Sequence, residues 1–241
     1  EFVRFSLTGN HSSYTGELTP TLQNVKGDIK DTSEAQWTSF LPKVRNNYRK
    51  SQKHDLTFKM FVGTEINIDV LTCFSEIYSS TMERRNACEM LKFSLKYFKQ
   101  LVLGNQQNFA IAMAYYEGKP VSGELIIVHS ETIYGFLGGT LAEYFQYRPN
   151  DFLRVEIIDW ARKTGKKEYI LGGGRADGDG LYKSTKSLFP KDEDVLFYTG
   201  RKTINNEIYN QMNSMVVSYV LDTEEDVESS GFFPMYRKVA S

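Results

Sequence analysis

A chain of 241 residues is long enough for one large domain or two small ones, and 41% hydrophobic, 14% aromatic and 24% charged residues give a globular profile, which excludes a disordered polymer. A formal net charge of −1 excludes a surface built throughout for nucleic acid, so any phosphate binding must be local. Two cysteines, Cys73 and Cys88, are too few for a disulfide framework and fit a reducing, cytoplasmic setting, while three histidines without ligand spacing point to no metal site.

The chain enters directly into a strand-like run from Phe2 to Leu7, with Glu1 rather than methionine ahead of it, which reads as a domain whose upstream portion is missing. A polar loop follows. Ser33 with Gln36 three residues later forms a capping-box signature, and Trp37, Phe40, Leu41, Val44 and Tyr48 then recur at helical spacing. Pro42 breaks or kinks that helix, and it suits the first position of a second one. The opposite face carries Lys43, Arg45, Arg49, Lys50 and Lys53, which either grips a nucleotide-sugar diphosphate or a tRNA backbone or is simply a solvated face. Leu56 to Phe61 reads as a strand, and Asn67 to Ser80 and Ala87 to Leu103 read as helices. Gly104 is a helix stop, and the polar turn to Asn108 precedes a change of period. The expected division is therefore 1–104, the remainder of a first half with its basic helix, and 105–241.

Three strand signals follow, Phe109 to Tyr116, Val121 to His129 and Thr132 to Leu137, joined by short turns that imply an antiparallel meander. Asn150 is placed to cap a helix in which Leu153, Ile157, Trp160 and Ala161 share a face, and Gly165 ends it. Tyr169 to Leu171 and Val195 to Tyr198 are short strands, and a last helix aligns Ile204, Ile208, Met212, Met215 and Tyr219. This order predicts an α+β fold, a mixed sheet flanked by helices, with one crossover that pairs strands in parallel. No stretch approaches ~20 apolar residues, so no bilayer-spanning helix is expected, and peripheral membrane contact stays open.

The most unusual segment is LGGGRADGDGLYKSTKSLF, Leu171 to Phe189. Backbone amides at Gly172, Gly173 and Gly174 can approach an anion closely, and Arg175, Lys183 and Lys186 complete a phosphate or carboxylate site; the alternative is a surface loop with solvated charges. The triple glycine has neither Walker nor Rossmann spacing. Amine acylation needs a base and oxyanion donors. Glu124, in an otherwise apolar strand, is a candidate base whose burial would raise its pKa, or else an edge-strand glutamate facing solvent. Asp179 orients a substrate hydroxyl or amine, or merely makes the turn before Gly180. Gly172 to Gly174 supply candidate oxyanion amides. Arg148 and the amides of Asp151 and Phe152 form a second anion candidate, or the Pro149 to Asp151 run only caps a helix.

The run YGFLGGT from Tyr134, YRPNDFLRVEIIDWARKTG from Tyr147, YILGGG from Tyr169 and DGLYKSTKSLFP from Asp179, together with PKVRNNYRKSQ from Pro42 and FYTGRKTINNEIYNQM from Phe197, resembles the Fem-type peptidoglycan-bridge aminoacyltransferases and their GNAT-like relatives. The resemblance covers most of the chain from about Ser33. It implies paired GNAT-like domains and transfer of an acyl or aminoacyl group to an amine. The implied donor is an acyl-CoA or other acyl thioester, or an aminoacyl-tRNA, used as co-substrate without a tightly bound cofactor. The implied acceptor is a cell-envelope precursor or an amino sugar. Asp179, Leu181, Tyr182, Lys183 and Lys186 match the family's D-x-L-[FY]-[RK] element and the lysines after it. Ser184 and Thr185 intervene before Lys186, which leaves the key lysine open between Lys183 and Lys186. YFQYRPND, Tyr144 to Asp151, lacks the glycines of an acyl-CoA pyrophosphate loop. A rival of another class is a non-catalytic module of the same fold that binds a phosphorylated glycan or RNA.

Overall fold

The computed structural model describes residues 1–5, 11–174, 176, 178–220 and 232–237. Arg175, singled out above, lies outside them. The elements in chain order are β1 (Phe2–Arg4), β2 (Glu17–Asp28), α1 (Ser33–Ser39), α2 (Pro42–Ser51), β3 (Leu56–Val62), α3 (Ile68–Arg84), α4 (Leu95–Val102), β4 (Phe109–Tyr116), β5 (Lys119–Val128), β6 (Thr132–Thr140), α5 (Pro149–Lys163), β7 (Glu168–Leu171), α6 (Gly180–Lys186), β8 (Val195–Arg201) and α7 (Asn206–Val220). From Asn24 to Asp194 the strands make a mixed sheet in the order β2-β7-β6-β5-β4-β3, and β1 pairs antiparallel with β8.

The expected meander is present. β4 pairs antiparallel with β5 (Ala112↔Glu124) and β5 with β6 (Ser122↔Thr140). The crossover through α5 then pairs β7 parallel to β6, because a strand, helix and strand connection returns to the sheet in the same direction.

Several local expectations are corrected. Ser33 is not a cap: Thr32 precedes the helix and its Oγ1 accepts the Ala35 N–H at 3.2 Å. Gln36 is buried instead, its Oε1 accepting the Lys30 N–H at 2.9 Å. Arg148, not Asn150, stands before α5, in the left-handed conformation at φ 59°, with Pro149 as first helical residue. The helix expected over Ala87–Leu103 is only the eight-residue α4, capped by Ser94. β2 occupies what reads as polar loop, since Pro20 and few buried positions hide a strand whose core contact begins at Val25.

The chain forms two compact units, Glu1–Gln23 with Val195–Ser241, and Asn24–Asp194. The junction expected after residue 104 falls inside the larger unit, where β4 pairs with β3 on one side and β5 on the other. Within that unit the sheet has a core on each face. Alternation along β4 sends Ala110, Ala112 and Ala114 to the side of α5, with Leu153 and Ile157, and Ile111 and Met113 to the side of α3, with Leu71 and Phe74. The small alanines of β4 leave room for α5 to pack over it, beside β5, which carries Glu124. Each fully buried large side chain contributes about 1.5–3 kcal/mol.

Candidate active site

β6 and β7 are paired only from Thr132↔Glu168 to Tyr134↔Ile170. Beyond that point β6 stays with β5 to Thr140, whereas β7 continues beside β2, Val25 facing Leu171. The two parallel strands therefore part at their carboxyl ends, the place where sheets of this kind open a crevice for ligands. The register of β5 against β6 shifts between Leu125 and Ile126 at the same level, a bulge that re-aims side chains.

Glu124 sits beside this parting. β5 is flanked by β4 and β6, so the edge-strand alternative is wrong, and Glu124 is only 6% exposed. Tyr169, on β7, donates its hydroxyl proton to Glu124 Oε1 in a short hydrogen bond. Gly135 makes the room: a Cβ there would lie 2.6 Å from Glu124 Oε1 and 2.8 Å from Leu171 Cδ2. Burial pushes the Glu124 carboxyl above the ordinary carboxylate value, with the Arg154 charge and the Tyr169 hydroxyl pulling less strongly the other way. Burial, and then the Glu124 charge, holds the Tyr169 phenol well above its usual value. Arg154 Nε is buried without a hydrogen-bond partner, an uncommon cost for a guanidinium. Tyr169, Arg154 and Gly135 escaped sequence reasoning. The available signals were an arginine between the apolar neighbours Leu153 and Val155 and a glycine-rich strand facing the one acidic residue of β5.

β7 ends at Leu171 and runs straight into the triple glycine. The Gly173 amide donates to Asn24 Oδ1 at 3.0 Å, so it is engaged and does not serve as an oxyanion donor here. Gly174 has φ 90°, and a Cβ on it would meet the Asp179 carboxylate at 2.2 Å. Asp179 Oδ1 accepts the Tyr182 N–H at 2.8 Å as the cap of α6, so capping is at least part of its role. α6 then divides its polar residues. Lys186 Nζ donates to Asp194 Oδ1 at 2.7 Å and to the Asp192 carbonyl at 2.5 Å, and the Tyr182 hydroxyl donates to Asp194 Oδ2 at 2.6 Å. Lys183 is exposed. The lysine left open by the sequence is thereby distinguished: Lys186 holds the chain after α6, and Lys183 faces solvent.

The basic helix is also divided. Arg45 Nη1 donates to the Phe40 and Thr38 carbonyls, closing the end of α1. Arg49 lies 5.3 Å over the Trp37 ring and donates to Asn46 Oδ1 at 3.3 Å. Arg148 is exposed at the start of α5. Among the described residues no group of three or more potential ligands could hold a metal ion, and no helix is long and apolar enough to cross a membrane.

Residues 41–184, from the start of α2 into α6, match the sequence profile of the acetyltransferase (GNAT) domain. The chain belongs to the GNAT acetyltransferase family. Solved structures agree in fold. FemX is 13% identical with a TM-score of 0.62 over 87% of this chain and 68% of FemX. The C-terminal DUF2156 domain of a protein designated a lysylphosphatidylglycerol synthetase from Agrobacterium fabrum is 14% identical with a TM-score of 0.56, over 83% of this chain and 66% of that one. L-PGS from Bacillus licheniformis is 14% identical with a TM-score of 0.54, over 82% of this chain and 65% of that one. The GNAT chain thus spans about two thirds of the length of these neighbours. A search of curated protein sequences finds no match. GNAT membership makes this protein an acyltransferase.

Proposed function

We propose that this GNAT protein moves an acyl or aminoacyl group from an aminoacyl-tRNA or acyl-thioester donor to an amine of a cell-envelope peptide or amino sugar, by direct transfer. The observation that carries this reading is the Tyr169–Glu124 pair beside the parting of β6 and β7. The attacking amine forms a bond to the donor carbonyl carbon, and the ester C–O or thioester C–S bond breaks. The amine proton passes to Tyr169 as Tyr169 hands its own to Glu124, and the released oxygen or sulfur takes up one proton. A carboxylate with raised proton affinity is a stronger proton acceptor than an ordinary one.

The aminoacyl-tRNA donor is preferred within this reading. The segment from Leu141 to Pro149 contains no glycine, and Pro149 at the first turn of α5 has no N–H, so few bare amides are offered to a pyrophosphate.

The test is a transfer assay with charged tRNA or acetyl-CoA as donor and amino sugars or envelope peptides as acceptor, on wild type, Glu124→Gln and Tyr169→Phe. Loss of general-base help should lower kcat by about a hundredfold or more with little change in KM. Full turnover in both variants would remove the pair from the chemistry.

A further inference from the structure

A second cluster lies at the same edge of the sheet, outside the Tyr169–Glu124 pair. Because β6 and β7 are parallel, the segment after Thr140 and the segment after Leu171 leave the sheet at one edge. Thr140 faces Ser122 near the start of β5, and Tyr116 at the end of β4 faces Leu56 and Lys119, so the β4–β5 turn and the start of β3 share that edge. Three separate segments bring aromatic rings together there. Tyr116 and Tyr147 stack with centroids 4.4 Å apart and planes 12° from parallel. Tyr144 lies 5.9 Å from Tyr116, and the His54 ring 4.8 Å from Tyr147. Cations cover the rim: Lys119 Nζ is 5.2 Å from the Tyr144 ring, and Arg84, at the end of α3, is 4.7 Å from the ring of Phe145. None of these rings belongs to either buried core, and Phe145 is 43% exposed.

The basic helix leads to this shelf. α2 carries no acidic residue and exposes Lys43 and Lys50 seven residues apart on one face, while Arg45 is taken up by the carbonyls at the end of α1 and Arg49 by the Trp37 ring, and the turn after it continues with Lys53 and His54, the latter in contact with Tyr147. Rings that offer π faces, reached along a row of cations, are the arrangement that holds unpaired nucleotides, phosphates on the cations and bases on the rings. An oligosaccharide would use the rings but not the cations of α2.

We infer that the shelf of Tyr116, Tyr144, Phe145 and Tyr147, with its approach along α2, binds the unpaired nucleotides of an RNA donor and so delivers the acyl group to the parting of β6 and β7. The inference deepens the proposed function and rests on the RNA-linked donor. Acidic neighbours, Glu117 and Glu143, with Glu143 3.9 Å from Lys119, favour bases over phosphates at the rings themselves and leave the phosphates to α2.

Binding of a labelled single-stranded RNA octamer is measured by fluorescence anisotropy across a salt series. Tyr147→Leu should weaken binding by about tenfold or more, and Lys53→Gln should reduce the slope of log affinity against log salt by roughly 0.7. Phe145→Ser, at an exposed position, is the variant whose melting temperature should not move. Transfer is then compared for charged tRNA and for an aminoacyl thioester of N-acetylcysteamine, which has no nucleotides. Tyr147→Leu should raise KM for the first and leave the second unchanged. RNA affinity that is unaffected in both ring variants, or binding of N-acetylglucosamine oligomers in place of RNA, overturns the shelf. A wild type that binds the octamer but transfers only from the thioester overturns the donor reading and leaves the shelf as an RNA site.

Discussion

Glu124 shows how one residue acquires chemistry from its surroundings. Its carboxyl is enclosed by Tyr169, Gly135 and the Arg154 charge, and burial outweighs the other two influences to raise its proton affinity above that of an ordinary carboxylate. A carboxyl whose folded pKa lies above its unfolded value contributes stability that is complete below the unfolded value and is lost as pH rises through the folded one. Wild type should therefore lose stability relative to Glu124→Gln as pH climbs past the ordinary carboxylate range. Urea midpoints measured across that range check this, and parallel profiles would contradict it. Two lysines of α6 make a contrasting pair. Lys186→Ala leaves the Asp194 carboxylate, 7% exposed, with only the Tyr182 hydroxyl for company among the bonds described above, at a cost of about 1–3 kcal/mol. Lys183→Ala should change stability by less than about 0.5 kcal/mol. Equal midpoints for the two variants would refute the division of labour. The sequence made Glu124 visible as an acid in an apolar strand, yet could not show that Tyr169 and Arg154 reach it. Both lie on elements more than twenty residues away along the chain, and nothing local to either reports the meeting.

At the scale of elements, turn chemistry explains which expectations held. The β4–β5–β6 meander was legible because apolar runs alternate with short turns, and Gly118 at φ 77° supplies the turn that Lys119 follows. α2 was legible because proline fits a first helical position. β2 was not, since its half nearer Glu17 presents mixed polar residues and Pro20, and only pairing with β7 identifies the rest as strand. The triple glycine was visible as unusual, but its reason is mechanical at one position. Gly174 needs a positive φ and has the Asp179 carboxylate where a Cβ would go. Gly174→Ala should therefore cost about 2 kcal/mol or more, from the backbone and from the displaced cap of α6. Gly172→Ala, with open space around its Cβ position, is the control. Circular dichroism melts of the two variants decide it, and equal losses would mean that the loop rather than the cap sets the requirement.

At the scale of the whole molecule, the two units differ in how the chain supplies them. The larger, Asn24–Asp194, is one continuous stretch, whereas the smaller joins Glu1–Gln23 to Val195–Ser241. β2 contributes to both, Glu17–Gln23 to the smaller unit and Asn24–Asp28, with its residues from Val25 paired to β7, to the larger. During synthesis the first twenty-three residues emerge long before β8 exists to receive them. The larger unit can close its meander and both cores while the ribosome is still translating α7. The smaller one must wait for the last segment and then bear the entropy of closing a loop as long as its neighbour. Pulse-labelled hydrogen exchange on refolding protein should accordingly show β4, β5 and α5 protected before β1 and β8. A released chain that ends at Asp194 would then carry the Tyr169–Glu124 pair already assembled, with the leading half of β2 still awaiting a partner that was never made.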